Sequence, residues 1–194
     1  VGDSASLTRT LTRDDIELFA VMSGDVNPAH LDEEYARSDQ FHKVIAHGMW
    51  SGALISTVLG TQLPGPGTIY LGQSLRFLHP VGLGDTVTVT LTVARLDPDR
   101  HVATLDCAVT NQDGQPVLSG TAEVIAPREK VARPRIALPE VRLRERGSRY
   151  RDLLAAAQDA PRVRTAIVHP VDTVSLLGAV EAARAGLIEP VLVG

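Results

Sequence analysis

The stretch "DTVTVTLTVARLD", residues 85 to 97, constrains the fold more than any other part of the chain. Val87, Val89, Leu91 and Val93 alternate with threonines. Successive side chains of a strand point to opposite faces, so this pattern makes one apolar face and one polar face. The run "HVATLDCAVTNQ", residues 101 to 112, repeats it with Ala103, Leu105, Cys107 and Val109. Asp113-Gly114 then supplies a hairpin turn, and "QPVLSGTAEVIAP" places Leu118, Gly120, Ala122 and Val124 on one face. Ile69, Leu71, Leu75 and Phe77 mark a further long strand, irregular around Gly72. Long strands joined by short turns are antiparallel.

A sheet with one apolar face needs a cover. "KVIAHGMWSGALISTVLGTQL", residues 43 to 63, is the candidate, being almost wholly apolar or small from His47 to Leu59. A helix apolar all round is a buried helix. Gly48, Gly52, Ala53 and Ser56 let neighbouring backbones approach. One sheet cannot cover every face of such a helix, so a second copy is expected to cover the rest. Aromatic residues are 4% of the chain, so this core is built from Val, Leu, Ile and Ala. Upstream, residues 5–11 read as a short strand. "TRDDIELFAVMSG" reads as a helix capped by Thr12 and ended by Gly24. A further helix starts at Asn27 and Pro28 and carries Asp32, Glu33 and Glu34 in its first turns.

From Pro127 the pattern changes. Residues 127–149 are rich in proline and charge and read as a linker. Residues 150–194 read as helix, strand, helix, strand, the opening of a parallel α/β unit. The sequence therefore divides into an α+β domain at 1–126, a linker and an incomplete α/β segment.

Several function classes fall away. Net charge is -4 with no basic run, which argues against nucleic acid as the partner. No apolar run is long enough to span a bilayer, and no signal peptide is visible. The chain begins at Val1, so the natural N-terminus is expected upstream. The single cysteine, Cys107, cannot form an internal disulfide and sits in an alternating apolar run. A reducing, cytoplasmic setting is expected. His42, His79, His101 and His169 lack partners at metal-ligand spacing, so no metal is expected.

The chemistry concentrates in "SGDVNPAH", residues 23 to 30. Asp and Asn ahead of a helix most often act as caps. Yet with Pro28 as the first helical residue, His30 falls at the third, where the positive helix end favours a neutral imidazole. A neutral imidazole can accept or relay a proton. Asp25 can turn back toward the same end and share a water with it. "AHGM", residues 46 to 49, starts the buried helix, where free N–H groups can polarise a carbonyl oxygen. Gly48 leaves that approach open. His47 reads first as a polar helix-end residue. Two proton-transfer groups around one water suit hydration or dehydration of a double bond.

With these residues in place, "FAVMSGDVNPAHLDEEYA", "VIAHGMWSGALISTVLGTQLPGPGTIYLGQSLRFLHPV" and "GDTVTVTLTV" resemble the MaoC-like, (R)-specific enoyl-CoA hydratase family over about residues 4 to 126. The resemblance implies a hot-dog fold, a long central helix wrapped by an antiparallel sheet, and usually a dimer. It implies reversible syn hydration of trans-2-enoyl-CoA to (R)-3-hydroxyacyl-CoA, with coenzyme A as part of the substrate and no separate cofactor. Carried over residue by residue, Asp25 and His30 become the catalytic pair and Gly48 the oxyanion donor. Asn27, His47 and Ser56 become substrate-binding positions. Trp50, Leu54 and Leu78 are bulky candidates for limiting the acyl tunnel. "AIVHPVDTVSLLGAVEAARAGLIEPVLVG" resembles the start of phosphate acetyl/butyryltransferases, too short a piece to carry acyltransferase activity. Two other readings share the fold: a non-catalytic acyl-CoA-binding or dimerisation module, and a thioesterase.

Overall fold

The computed structural model describes residues 1–129, 131, 136–143 and 147–194. The chain separates into two compact units, Val1–Glu140 and Val141–Gly194. The boundary falls within the stretch expected as a linker, of which residues 130, 132–135 and 144–146 lie outside the described residues.

The first unit begins with β1 (Ser4–Thr10) and α1 (Arg13–Ser23). Thr12 and Asp15 cap α1 reciprocally, side chain to backbone in both directions, and Gly24 ends it in the left-handed conformation at φ 76°. Two short helices follow, α2 (Pro28–Leu31) and α3 (Glu33–Ser38). The sequence reads as one helix here, but the chain breaks it at Asp32. The Asp32 carboxylate accepts the N–H groups of Glu34 and Tyr35 and so starts a new helix. The central helix is α4 (Gly48–Thr61), with His47 just before its first residue.

Four strands complete the unit: β2 (Ile69–Phe77), β3 (Thr86–Asp97), β4 (Val102–Asn111) and β5 (Pro116–Ile125). They join β1 in a five-stranded sheet of order β1-β3-β4-β5-β2, with every pairing antiparallel. The alternation holds as expected. Val87, Val89, Leu91, Leu105, Val109 and Val124 are fully buried, and the α4 residues Leu54, Ile55, Val58 and Leu59 join them in one core. Removing a Leu from such a core costs ~2–5 kcal/mol. The irregularity expected near Gly72 is a register shift between Tyr70 and Gly72 in the β2–β5 ladder. On β5, a Cβ at position 120 would stand 2.0 Å from the Ser74 carbonyl oxygen, so only Gly lets β2 close against β5 there.

The helix is not buried all round. Trp50, Ser51, Gly52, Leu54, Ile55, Val58 and Leu59 face inward, while Met49, Ala53, Ser56 and Gly60 form an exposed stripe.

The second unit holds α5 (Ser148–Gln158), β6 (Val163–Val168), α6 (Thr173–Arg184) and β7 (Ile188–Val193). β6 and β7 pair in parallel, the strand–helix–strand order expected. Parallel strands ordinarily carry cover on both faces, yet Val163, Val168 and Leu192 stand exposed. No helix among the described residues is long and apolar enough to cross a membrane.

Candidate active site

Gly24 turns the chain out of α1, and the next three residues form a tightly bonded loop. The Asp25 N–H donates to Ser23 Oγ at 3.2 Å, and the Asn27 N–H donates to Asp25 Oδ1 at 3.2 Å. Asn27 Oδ1 in turn accepts the Ala29 N–H at 3.1 Å. Asn27 is therefore the cap of α2, Asp25 tightens the turn before it, and both remain exposed. This turn directs His30 inward, where it is 8% exposed.

His30 lies in α2, a single turn of four residues. A hydrogen bond fixes the ring. His30 Nδ1 lies 2.9 Å from the Ile45 carbonyl oxygen. A carbonyl can only accept, so Nδ1 carries a proton, and in the neutral ring Nε2 keeps its lone pair. Ile45 is itself held by a bridge to Gly82, and the Ala46 N–H donates to the Val81 carbonyl at 2.8 Å.

His47 is 2% exposed and makes no capping bond to α4. Its Nε2–H donates to the main-chain oxygen of Asp25 at 3.0 Å, and its Nδ1 is buried without a partner among the described residues. Its ring packs against His30 at 3.9 Å between centroids and against Phe19 at 4.9 Å. Asp25, His30 and His47 each bring a donor atom within 4.8 Å of the other two. A cation could use that spacing, although His30 Nδ1 and His47 Nε2 already serve backbone carbonyls. One water bridging two groups with bonds of about 2.8 Å fits it equally.

A cavity of about 300 Å³ opens beside His30 and His47. Its polar end holds His30, His47, Gly48 and Ser51, and its apolar wall holds Phe77, Leu78, Val81 and Val117. As the first residue of α4, Gly48 has an N–H with no acceptor inside the helix. Of the bulky residues expected to bound an acyl tunnel, Leu78 lines this cavity, while Trp50 and Leu54 are buried in the core. Ser56 does not reach it. It lines a separate hollow of about 540 Å³ with Phe19, Met49 and Leu71, on the exposed stripe of α4. Sequence reasoning missed Ser51, which lies one turn into the helix. It also set aside His79, whose ring lines the cavity while Nδ1 bonds the Pro116 carbonyl at 2.7 Å.

Residues 3–113 match the model of the MaoC like domain. The chain belongs to the MaoC-like family. This MaoC-like chain is 51% identical over 126 residues to an (R)-specific enoyl-CoA hydratase of Rhodospirillum rubrum, covering 65% of this chain and 87% of that protein. Its structure resembles the unliganded R-hydratase of Pseudomonas aeruginosa with a TM-score of 0.71. The two are 48% identical, over 74% of this chain and 92% of that one. The antiparallel sheet around α4 is thus the hot-dog fold. A shorter match, 50% identical over 50 residues, is to a phosphate acetyltransferase of Rickettsia felis and covers 26% of this chain and 14% of that protein.

Proposed function

We propose that this MaoC-like domain hydrates trans-2-enoyl-CoA thioesters to (R)-3-hydroxyacyl-CoA, reversibly and without a further cofactor. The observation that carries the reading is the grouping of Asp25, His30 and His47, with His30 and the α4 N-terminus at Gly48 lining one cavity, in a domain 51% identical over 126 residues to a hydratase.

The proposed chemistry follows from the fixed proton on His30. The thioester oxygen accepts the Gly48 N–H, and the Asp25 carboxylate orients a water against the β-carbon. His30 Nε2 takes one proton of that water as its oxygen bonds the β-carbon. The α,β double bond becomes an enolate whose charge the N–H stabilises. His30 returns the same proton to the α-carbon. Because one ring serves both steps from one side, addition is syn. Asn27 stays with its cap, and His47 holds Asp25 through the backbone.

We further infer that the working form is a cytoplasmic homodimer. β2 is an edge strand with exposed Ile69, Leu71 and Phe77, beside the exposed Met49–Ala53–Ser56 stripe of α4. An open apolar edge invites a second copy. Ser56 would then stand at the subunit boundary, which leaves it a substrate-binding candidate through the partner.

The test is crotonyl-CoA hydration, followed by loss of the enoyl-thioester absorbance with chiral analysis of the product. Rapid loss giving the (R) alcohol, and abolished in a folded Asp25→Asn variant, is expected. No hydration of crotonyl-CoA or of a longer enoyl-CoA sinks the reading, and release of free thiol would point to a thioesterase instead.

A further inference from the structure

The hydroxyl of Ser51 has no place in the hydration scheme above, yet its setting is unusual. Ser51 lies on the inner side of α4 and is 3% exposed. A buried hydroxyl ordinarily finds a partner. In a helix it commonly bonds the carbonyl four residues back, as Thr57 does with Ala53 and Thr61 with Thr57. Ser51 makes no hydrogen bond within the described residues. It borders the cavity beside His30, His47 and Gly48.

Helix geometry says where that hydroxyl points. Each Cα–Cβ bond tilts toward the helix N-terminus, and residues three apart share a face. Ser51 is three residues after Gly48 and four after His47. Its side chain therefore leans over the first turn, toward the end of α4 where Gly48 and Phe77 also line the cavity. A carbonyl oxygen held by the Gly48 N–H has a second lone pair to satisfy. The Ser51 O–H is the side-chain donor on the same face of the same turn.

We propose that Ser51 is a further catalytic residue, whose hydroxyl donates a second hydrogen bond to the thioester oxygen beside the Gly48 N–H. This rests on the hydratase reading. The hydroxyl strengthens its bond as the oxygen gains charge in the enolate, so it acts on the transition state more than on bound substrate. With no protein acceptor among the described residues, the hydroxyl at the cavity wall is available to donate to a ligand there.

Ser51→Ala removes the donor, keeps the cavity as large and favours the helix. Crotonyl-CoA and trans-2-hexenoyl-CoA are both assayed, with thermal melting as the folding control. The expected result is a fall in kcat of ~10- to 100-fold on both substrates with KM changed less than about twofold. Ser51→Thr, which keeps the hydroxyl, is expected to recover part of that rate on crotonyl-CoA. A purely structural role would lower the melting temperature and leave kcat. A role in acyl fit would change one chain length and spare the other. Either result, or a kcat within about twofold of wild type, overturns the assignment and leaves the hydratase reading standing. A wild-type chain that hydrates neither thioester overturns both.

Discussion

The rings of His30 and His47 lie 3.9 Å apart at an angle of 34°, and each is locked by a different nitrogen. His30 commits Nδ1 to the Ile45 carbonyl, and His47 commits Nε2 to the Asp25 carbonyl. Neutral His30 therefore offers a lone pair at Nε2, while neutral His47 offers one at Nδ1, where no partner reaches. In the proposed hydration one ring moves a proton, while the other holds the loop that carries Asp25.

That division predicts how His47 responds to substitution. His47→Gln can place a side-chain N–H near the lost Nε2 and keep the bond to Asp25, whereas His47→Phe cannot. The Phe variant is expected to lose about 1–3 kcal/mol of stability, the cost of a buried carbonyl left unpaired, and most of its kcat. The Gln variant should recover much of both. Denaturant titration beside kcat measurement checks this, and equal loss in the two variants would count against a positioning role.

For His30 the two nitrogens can be separated. His30→Asn keeps an N–H donor near Nδ1 for the Ile45 carbonyl but removes the base at Nε2. It should melt close to wild type and lose ~10²- to 10⁴-fold in kcat, the usual reach of a general base. A variant that is folded and fast would show that the base lies elsewhere.

The Gly48 N–H can be deleted without touching a side chain. Proline is accepted at the first helical position, and it requires extended geometry in the residue before it. His47 already has φ -57° and ψ 134°. The added ring would meet Phe77, since even a Cβ at position 48 stands 3.3 Å from that side chain. Gly48→Ala adds the Cβ and keeps the N–H. The expected order of kcat is therefore wild type, then Ala, then Pro, with the Pro variant ~10²- to 10³-fold down. Steady-state kinetics with circular dichroism on both variants checks it, and equal rates for Ala and Pro would remove the N–H from the mechanism.

Asp85 ties pH to the placement of the site. Burial works to raise its carboxyl, but the Gly82 N–H at 2.7 Å, Gln112 at 3.1 Å and the Lys43 ammonium at 3.4 Å together bring it below the usual carboxylate range. These contacts hold the turn whose Gly82 bridges Ile45, the acceptor for His30. A carboxylate lowered in the folded state stabilises fully above its unfolded value and stops doing so as pH falls through its folded value. Wild type should thus lose stability on acidification below about pH 4, and Asp85→Asn should flatten that slope. Melting temperatures from neutral pH to about pH 3 for the two proteins check this.

Much of this architecture is legible in the residues because it is local. Val87 to Val93 alternate, and Val89 and Leu91 are indeed fully buried. Gly24 ends α1 and Asn27 caps α2. Asp25 and His30 are five positions apart and meet through a turn that their own types dictate. What the pattern hides is tertiary. His47 bonds a carbonyl 22 positions away, and nothing in "AHGM" signals that distance. His30 depends on Ile45, whose place is set by Gly82. Ser51 reads as one more small residue in an apolar helix, and its unmet hydroxyl shows only once the cavity does. The stripe through Ser56 reads as buried because composition does not say which faces of an apolar helix the sheet covers.

The loop at Asp25 also bears on how such sequences change over time. Asp25 Oδ1 holds the Asn27 N–H and Asn27 Oδ1 starts α2, so the bonds that shape this turn also place the proposed reacting groups. Drift that preserves foldability will therefore preserve the motif, even in descendants that have stopped turning over substrate. A census of relatives by that octapeptide alone would overcount working enzymes. Position 30, where Asn could keep the bond to the Ile45 carbonyl and lose only the base, is a better place to look for lineages released from catalysis.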